Sequence, residues 1–361
     1  MPHTTILILA DWFEPGFKAG GPIRSCSNFA RQMKDEYSIY VITTDRDFNS
    51  AEPYSNVIVD KWCESEEGIN ILYCSPRFLN WKNILRQIKK IRPDFIYLNS
   101  MFSKFFTVYP LLMYRLKLID ARIVAAPRGM LKPTAIQYKR FKKEVFLSLF
   151  RLLGLHKVIR FHATDKSELN DIKELFGARI DVSVISNFPA SVNDYLGSII
   201  KNTKEISIIF IGRLHPIKNL DYLLRLLPTI RGNIYLTIIG SEEDISYVSE
   251  CKKLVSSLPL NINVQFKRDF PYQDLIYLIQ QHHVLVLPTQ GENFGHAIFD
   301  AMSQGKPVLI SDQTPWRNLS FLQAGWDINL SKKEQFSEAL QQITDFDQRQ
   351  YDEWSLGAWQ Y

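Results

Sequence analysis

Cysteine is scarce in this chain. The 361 residues include four, Cys26, Cys63, Cys74 and Cys251, far apart and without a Cys-x-x-Cys pair. That argues against a disulfide framework or a thiolate zinc site and leaves reduced thiols in a cytosolic protein as the simpler reading. Long apolar runs are missing too: no stretch reaches the roughly 18 uninterrupted apolar residues of a spanning helix. No signal peptide is evident, because Met1-Pro2-His3 leads directly into a strand pattern. Nor is there a large excess of one charge. The formal net charge is +5, from 43 basic and 38 acidic residues, which does not support nucleic-acid binding unless the positives cluster. With 46% hydrophobic and 22% charged residues the chain is neither disordered nor fibrous, and its length suffices for two domains with separate cores.

Residues 4–200 alternate strand and helix patterns. Thr5 to Ala10 reads as a buried strand, followed by a loop that ends in Gly20-Gly21-Pro22. Glycines there permit close approach to a phosphate or sugar, and Pro22 suits the first turn of a helix. Residues 37–44 form the next strand, leading to Asp45-Arg46-Asp47. An Asp-x-Asp triplet can bind a divalent metal, but three residues are weak support. A solvated loop is the better reading, and no obligatory metal is expected.

Two strands (56–62 and 69–74) and a helix (80–91) follow, then buried strands at Asp94–Asn99 and Arg122–Pro127. Ligands of open α/β sheets gather outside the carboxyl ends of the strands. That rule selects Asn99, able to bond a hydroxyl, and Arg128, able to clamp a phosphate or carboxylate. Residues 132–160 are the most basic part: Lys139, Arg140, Lys142, Lys143, Arg151 and Lys157 interleave with apolar side chains. Phe146, Leu149, Phe150 and Leu153 make one helical stripe. A core helix with a solvated face is expected, with a basic amphipathic helix on an anionic membrane as the alternative. Strands at 158–164 and 180–186 flank a helix at 166–177, and His162 reads as a packed histidine. Residues 187–197 break the rhythm as a linker.

Alternation resumes at Ile206–Ile211, ending in Gly212-Arg213-Leu214-His215-Pro216-Ile217-Lys218-Asn219. A helix is expected from Leu220 to about Ile230, with Asn219 as its cap and His215 facing solvent. An Arg fork with a Lys point charge at the mouth of this loop suits a phosphorylated ligand. A strand from Ile234 ends at Gly240; a helix (242–257), a strand (263–267) and a helix (272–281) follow. The apolar run Val284–Leu287 is stopped by Pro288 and reads as a buried parallel strand. In the loop after it Gly291 and Gly295 let the backbone approach a ligand, and Glu292 stands at the edge. A helix from about Phe294 carries Asp300 two turns on, seated by Ala297, Ile298, Ala301 and Met302. The arrangement suits a ligand polyhydroxylated at one end and anionic at the other. A strand from Val308 and a helix at 333–344 follow, and the last helix begins near Asp347.

Glu292-Asn293-Phe294-Gly295, Asp300-Ala301-Met302 and Gly305-Lys306-Pro307-Val308 resemble, in order, the Glu-x7-Glu signature of retaining glycosyltransferases of the glycosyl transferases group 1 type (glycosyltransferase family 4-like), with Asp300 in place of the second Glu. Arg213 and Lys218 resemble that family's Gly-Arg-x-x-x-x-Lys element. Ser311-Asp312-x-x-Pro315-Trp316 is similar to bacterial surface-polysaccharide members. The resemblance implies a GT-B fold, two Rossmann-like α/β domains facing across a cleft. Its expected parts are an acceptor-binding domain at 1–190, a linker at 191–204 and a nucleotide-sugar-binding domain at 205–345. A final helix from 346 would return to the first domain, ending early relative to the family, as in a truncated C-terminus.

The implied activity is retaining, metal-independent transfer of a sugar from a nucleotide diphosphate sugar to a glycan or lipid-linked hydroxyl. Capsule, exopolysaccharide, O-antigen or lipopolysaccharide synthesis is the implied setting, in the cytoplasm or at the inner face of the membrane. The implied catalytic residues are Arg213 and Lys218 on the diphosphate and Glu292 on the sugar hydroxyls. Asn293, Phe294 and Gly295 would stand beside the sugar, Asp300 at the ribose, Gly20 and Gly21 at the phosphates or acceptor, and 264–270 at the base. No cofactor is implied beyond the donor. The family's usual first-domain histidines are replaced by Asn99 and Arg128. A nucleotide-sugar epimerase of the same fold and a non-catalytic nucleotide-sugar binder are the alternatives.

Overall fold

The computed structural model describes residues 4–137, 140–267 and 270–361. The chain divides into two compact units, Met1–Phe188 and Pro189–Tyr361, each built on its own sheet. In the first unit the strands are β1 (Thr5–Leu9), β2 (Ser38–Thr44), β3 (Trp62–Glu64), β4 (Asn70–Cys74), β5 (Phe95–Leu98), β6 (Arg122–Ala125), β7 (Arg160–Ala163) and β8 (Val182–Val184). The helices are α1 (Gly21–Met33), α2 (Trp81–Ile91), α3 (Tyr109–Arg115), α4 (Pro133–Gln137), α5 (Arg140–Leu152) and α6 (Lys166–Phe176).

The spatial order is β3-β4-β2-β1-β5-β6-β7-β8, parallel throughout except for β3, which pairs antiparallel with β4. Successive residues of β1 serve opposite faces, as the period of two requires. Leu7 and Leu9 join a core with Ile42, Leu72, Ile96 and Leu98, while Ile6 and Ile8 join one with Ile39, Val41 and Ile71. A parallel sheet covered on both faces accounts for the nearly continuous apolar runs. The strand expected at 56–62 is displaced. Val59 makes a single bridge to Tyr73, and Asp60, at φ 61°, turns the chain before β3 begins. The carboxylate of Asp60 pins that turn by accepting from Ser75 N–H and Oγ, both at 2.8 Å.

The second unit has β9 (Glu205–Ile211), β10 (Asn233–Ile239), β11 (Ile262–Lys267), β12 (Val284–Leu287), β13 (Val308–Ser311) and β14 (Gly325–Ile328). Its helices are α7 (Leu220–Leu226), α8 (Ile245–Ser256), α9 (Tyr272–Gln280), α10 (His296–Ser303), α11 (Lys333–Asp345) and α12 (Gln348–Gln360). The order is β11-β10-β9-β12-β13-β14, all parallel. This is the doubly wound plan: the chain starts mid-sheet, builds one side, then crosses to the other. Helix α7 stops at Leu226, short of the expected Ile230, because Pro228 removes a donor and forces a 3-10 turn over Leu227–Thr229. The stretch expected as a linker lies on this unit. Tyr195 OH donates to Ser355 Oγ at 2.9 Å, and the buried Lys201 Nζ donates to the carbonyls of Asn202, Thr344 and Phe346. Helix α12 also packs here: Trp354 stacks on Trp326 at 4.2 Å and Tyr351 OH donates to His283 O at 3.0 Å.

The four cysteines are free. Burial pushes the Cys26 thiol up to about 12 and that of Cys251 up to about 11, which makes them packing groups and not nucleophiles. His283 is buried at the start of β12. Its Nδ1 accepts from Ser207 N–H at 2.9 Å, so Nε2 carries the proton given to Ile200 O, also at 2.9 Å. Burial, with Lys201 and Lys306 adding to it, pushes its pKa down to about 4 against the Ile200 hydrogen bond. The unfolded chain therefore binds this proton near pH 6.5 while the folded chain refuses it until about pH 4. Stability is full above the unfolded value and is lost as pH falls toward the folded one, by roughly 2 kcal/mol between about pH 7 and pH 5. Urea midpoints across that window test this; a wild-type slope no steeper than that of His283→Gln refutes it.

Candidate active site

In both sheets the winding reverses at the first strand: between β1 and β5, and between β9 and β12. The loops leaving the carboxyl ends of these strands splay apart, and a crevice opens there. In the second unit those two loops hold the residues singled out in the sequence. The loop after β9 is closed by Gly240: a Cβ there would stand 1.9 Å from Gly212 O. His215 does not face solvent. Half-buried, it accepts at Nδ1 from Ile217 N–H (3.3 Å) and so caps the 3-10 turn Pro216–Lys218. Asn219 does not cap α7 with its side chain. At φ 59° it reverses the chain, and its Nδ2 donates to Pro288 O at 3.0 Å. Gln290 N–H and Thr289 Oγ1 both donate to Ile217 O, at 2.7 and 3.1 Å. Two loops about seventy residues apart in sequence are thus stitched into one surface.

That stitching brings Lys218 Nζ into a salt bridge with Glu292 Oε1; the two side chains are 16% and 12% exposed. Arg213 stands at the same loop, 44% exposed, its Nη1 2.7 Å from Glu243 Oε2. Sequence reading gave Lys218 and Glu292 separate tasks and did not find Glu243. The structure makes them neighbours, each cation already beside a carboxylate. Glu292 N–H donates to Gln313 O at 3.0 Å, which fixes the loop backbone under the pair.

Helix α10 starts at His296, two residues after the expected Phe294, because Gly295 takes the left-handed conformation (φ 79°) just before it. The closest atom to a Cβ at Gly295 would be the movable end of a side chain, Ile298 Cδ1 at 2.8 Å, so it is the positive φ that calls for glycine. Phe294 is held in an aromatic group with His296, Phe299 and Trp316, and Trp316 Nε1 donates to Phe294 O at 2.6 Å. Trp316 was visible in the sequence only as part of a motif; its work is to fix the loop that carries Asn293 and Gly295. Asp300 is not brought to the surface beside Glu292. It is 2% exposed and accepts from Tyr272 OH at 3.2 Å, tying α9 to α10. Of the stretch expected at the base, 268–269 lie outside the described residues.

The first unit gathers the other candidates. Gly20, at φ 62°, starts α1 at Gly21. Asn99 Nδ2 donates to Pro22 O (3.0 Å), while its Oδ1 accepts from Arg128 Nε (3.2 Å). Asn99 is 4% exposed with both ends of its amide engaged, so it holds the glycine turn against Arg128 instead of offering itself to a hydroxyl. Arg128, at φ 54°, also donates from Nη2 to Tyr97 OH at 2.7 Å, and its Nη1 has no partner in the described structure. Tyr97 OH stands 2.8 Å from His162 Nδ1, whose Nε2 meets Ile185 O at 2.7 Å. The proton order that satisfies this chain is Arg128 to Tyr97 to His162 to Ile185, with a neutral imidazole. Burial, helped by Arg128, lowers the His162 pKa accordingly.

Asp45 and Asp47 do not lie in a solvated loop. They are 3% and 7% exposed, Asp45 pairing with Arg46 at 2.8 Å. Asp47 accepts from the N–H groups of Phe17 (2.8 Å), Lys18 (3.1 Å) and Phe48 (2.7 Å). A buried carboxylate with three backbone donors is an anchor, and what it anchors is the loop leading to Gly20. Among the described residues no group of three or more His, Cys, Asp or Glu is placed to hold a metal ion.

Residues 193–347 match the family model for glycosyl transferases group 1. The chain is 25% identical over 357 aligned residues (82% of it, 71% of the relative) to a Xenopus laevis protein named GDP-Man:Man(3)GlcNAc(2)-PP-Dol alpha-1,2-mannosyltransferase. It is 29% identical over 133 residues (36% and 35%) to the O-antigen chain mannosyltransferase RfbU of Salmonella typhimurium. With most of the curated relatives it matches, the chain spans only about a quarter to a third of their length. The fold is similar to that of Anabaena HepE, solved with UDP-glucose: TM-score 0.69 at 15% identity, covering 99% of this chain and 94% of that one. The motif loops that the structure stitches together fall inside the matched region, so the second sheet carries them on a segment similar to glycosyl transferases group 1, within a fold of two Rossmann-like sheets.

Proposed function

We propose that the chain is a retaining glycosyltransferase that moves a sugar from a nucleotide diphosphate sugar to a hydroxyl of a glycan or lipid-linked oligosaccharide, in the synthesis of a bacterial surface polysaccharide. The observation that carries this reading is the Lys218–Glu292 pair beside Arg213, at the carboxyl ends of the two strands where the second sheet reverses. A relative solved with UDP-glucose and mannosyltransferase relatives support a nucleotide-sugar donor.

In this reading the bond from the sugar's anomeric carbon to the diphosphate breaks, and its electron pair stays on the phosphate oxygen. Charge then accumulates where Arg213 and Lys218 stand, and fixed cations are worth most against charge that develops during the reaction. They take the part that a divalent metal has in other sugar-nucleotide transferases. Arg213 exchanges Glu243 for phosphate at little cost, since an exposed pair is weak. Glu292 accepts from donor sugar hydroxyls. The acceptor hydroxyl bonds to the face the diphosphate leaves, and its proton passes to the departing phosphate oxygen.

Incubation with a panel of nucleotide sugars, following free nucleoside diphosphate, tests this. Slow release from one donor, lost in Glu292→Ala with the fold retained, identifies the sugar. No release from any donor, together with no binding of UDP or GDP, overturns the reading.

A further inference from the structure

We propose that the outer face of α5 is a docking surface for an anionic lipid bilayer. The stripe expected from the sequence, Phe146, Leu149, Phe150 and Leu153, is divided in the structure. Leu147 and Phe150 are buried, and Phe146 stacks on Phe150 at 5.7 Å, whereas Leu149 and Leu153 are left outside, 52% and 49% exposed. A second row takes their side: Phe141 (79%), Val145 (45%), Leu149 and Leu152 (81%). Spacings of four, four and three residues keep this row on one side of a helix, opposite Leu147 and Phe150. The core uses one apolar side of α5 and leaves the other in the open.

The charges beside the row say what covers it. Residues 140–157 contain five bases and one acid, and that acid, Glu144, is held by Arg140 at 2.7 Å. Lys143 turns inward, donating to Ala135 O at 2.7 Å. Lys142, Arg151 and Lys157 are exposed, with Lys142 and Arg151 on opposite margins of the row. Lys139 lies outside the described residues. Apart from Ser148 the row offers only aliphatic side chains and a phenyl ring, bordered by long cations. A helix of this make-up lies in the plane of a bilayer interface, its apolar side chains at the acyl boundary and its cations reaching to lipid phosphates. No helix among the described residues is long and apolar enough to cross a membrane, so the contact is peripheral. The inference rests on this surface alone and does not require the transfer reading.

Co-sedimentation of the full chain with vesicles of phosphatidylcholine, with and without phosphatidylglycerol, tests it. Binding is expected to be at least about tenfold tighter with the anionic lipid and to weaken as salt rises. The variant Phe141→Asp/Leu152→Asp is expected to lose at least about tenfold of that binding. Both positions are exposed and outside the proposed catalytic machinery, so its urea midpoint and its donor hydrolysis should match wild type. Lys142→Glu/Arg151→Glu should remove the anionic preference. Equal binding by wild type and the Phe141/Leu152 variant overturns the proposal, as does no binding to anionic vesicles. So does a wild-type dimer that this variant makes monomeric, since the face would then belong to a second copy of the chain.

Discussion

Replacing Lys218 with Met should lower turnover by roughly two to three orders of magnitude, the cost of removing one fixed charge aimed at a developing anion. The informative comparison is with Glu292→Ala, because the two side chains form a salt bridge before any ligand arrives. Loss of Lys218 removes a cation from the diphosphate, so UDP or GDP, whichever the protein binds, should bind more weakly. Loss of Glu292 leaves Lys218 without this carboxylate while the cation remains. The bare nucleotide should then bind as well as to wild type or more tightly, yet turnover of the nucleotide sugar should collapse. Opposite effects on nucleotide affinity with a shared loss of rate are the signature of a cation for phosphate and a carboxylate for sugar. Titration calorimetry with the nucleotide, beside steady-state release from the sugar donor, reads both quantities. Parallel weakening of nucleotide binding in the two variants would falsify this division of labour and leave the pair as a loop fastener.

The second large effect belongs to a residue without a side chain. Strands β9 and β10 pair in parallel register through Ile211 and Ile239, so Gly212 and Gly240 leave the sheet side by side. Gly240→Ala would place a methyl 1.9 Å from Gly212 O and 2.7 Å from its carbonyl carbon. The obstruction is backbone at the carboxyl ends of two inner strands, which cannot rotate away as a side chain can. The expected cost is on the order of 4 kcal/mol or more, enough to unfold the second unit or to displace Arg213 and Lys218 with their loop. Gly291→Ala is the matched control: a Cβ there meets nothing within 4 Å. Its denaturation midpoint should stay near wild type while that of Gly240→Ala falls or disappears. An unchanged midpoint for Gly240→Ala would mean that the two loops are free to part.

Much of the architecture could be read directly from the chain, because its determinants are local. A run such as Thr5–Leu9 or Val284–Leu287 is too short for a helix and too apolar for an exposed strand, so it belongs in a covered parallel sheet. Gly20 and Gly295 announce backbone that bends the way only glycine does cheaply. The order of the motifs was legible for the same reason. Gly212 to Lys218 and Glu292 to Val308 each follow a strand, and a doubly wound sheet delivers the ends of its first and fourth strands to one place.

Partnerships were decided only by tertiary structure. Glu243 and Glu292 are both acids in polar loops, and nothing within either loop says that one meets Arg213 and the other Lys218. Asn99 looked available to a ligand until Pro22 and Arg128 took both ends of its amide, and Asp47 looked solvated until the loop before Gly20 closed over it. Asp300 has the right spacing from Glu292, yet the packing of α9 on α10 encloses it with Tyr272. The same held for α5, where periodicity showed one apolar stripe but not that the fold would divide it and leave a second row outside. A strand or a turn answers to its neighbours in sequence. A hydrogen-bond partner and a buried face answer to whichever distant segment the fold brings alongside, and here the winding of two sheets chose them.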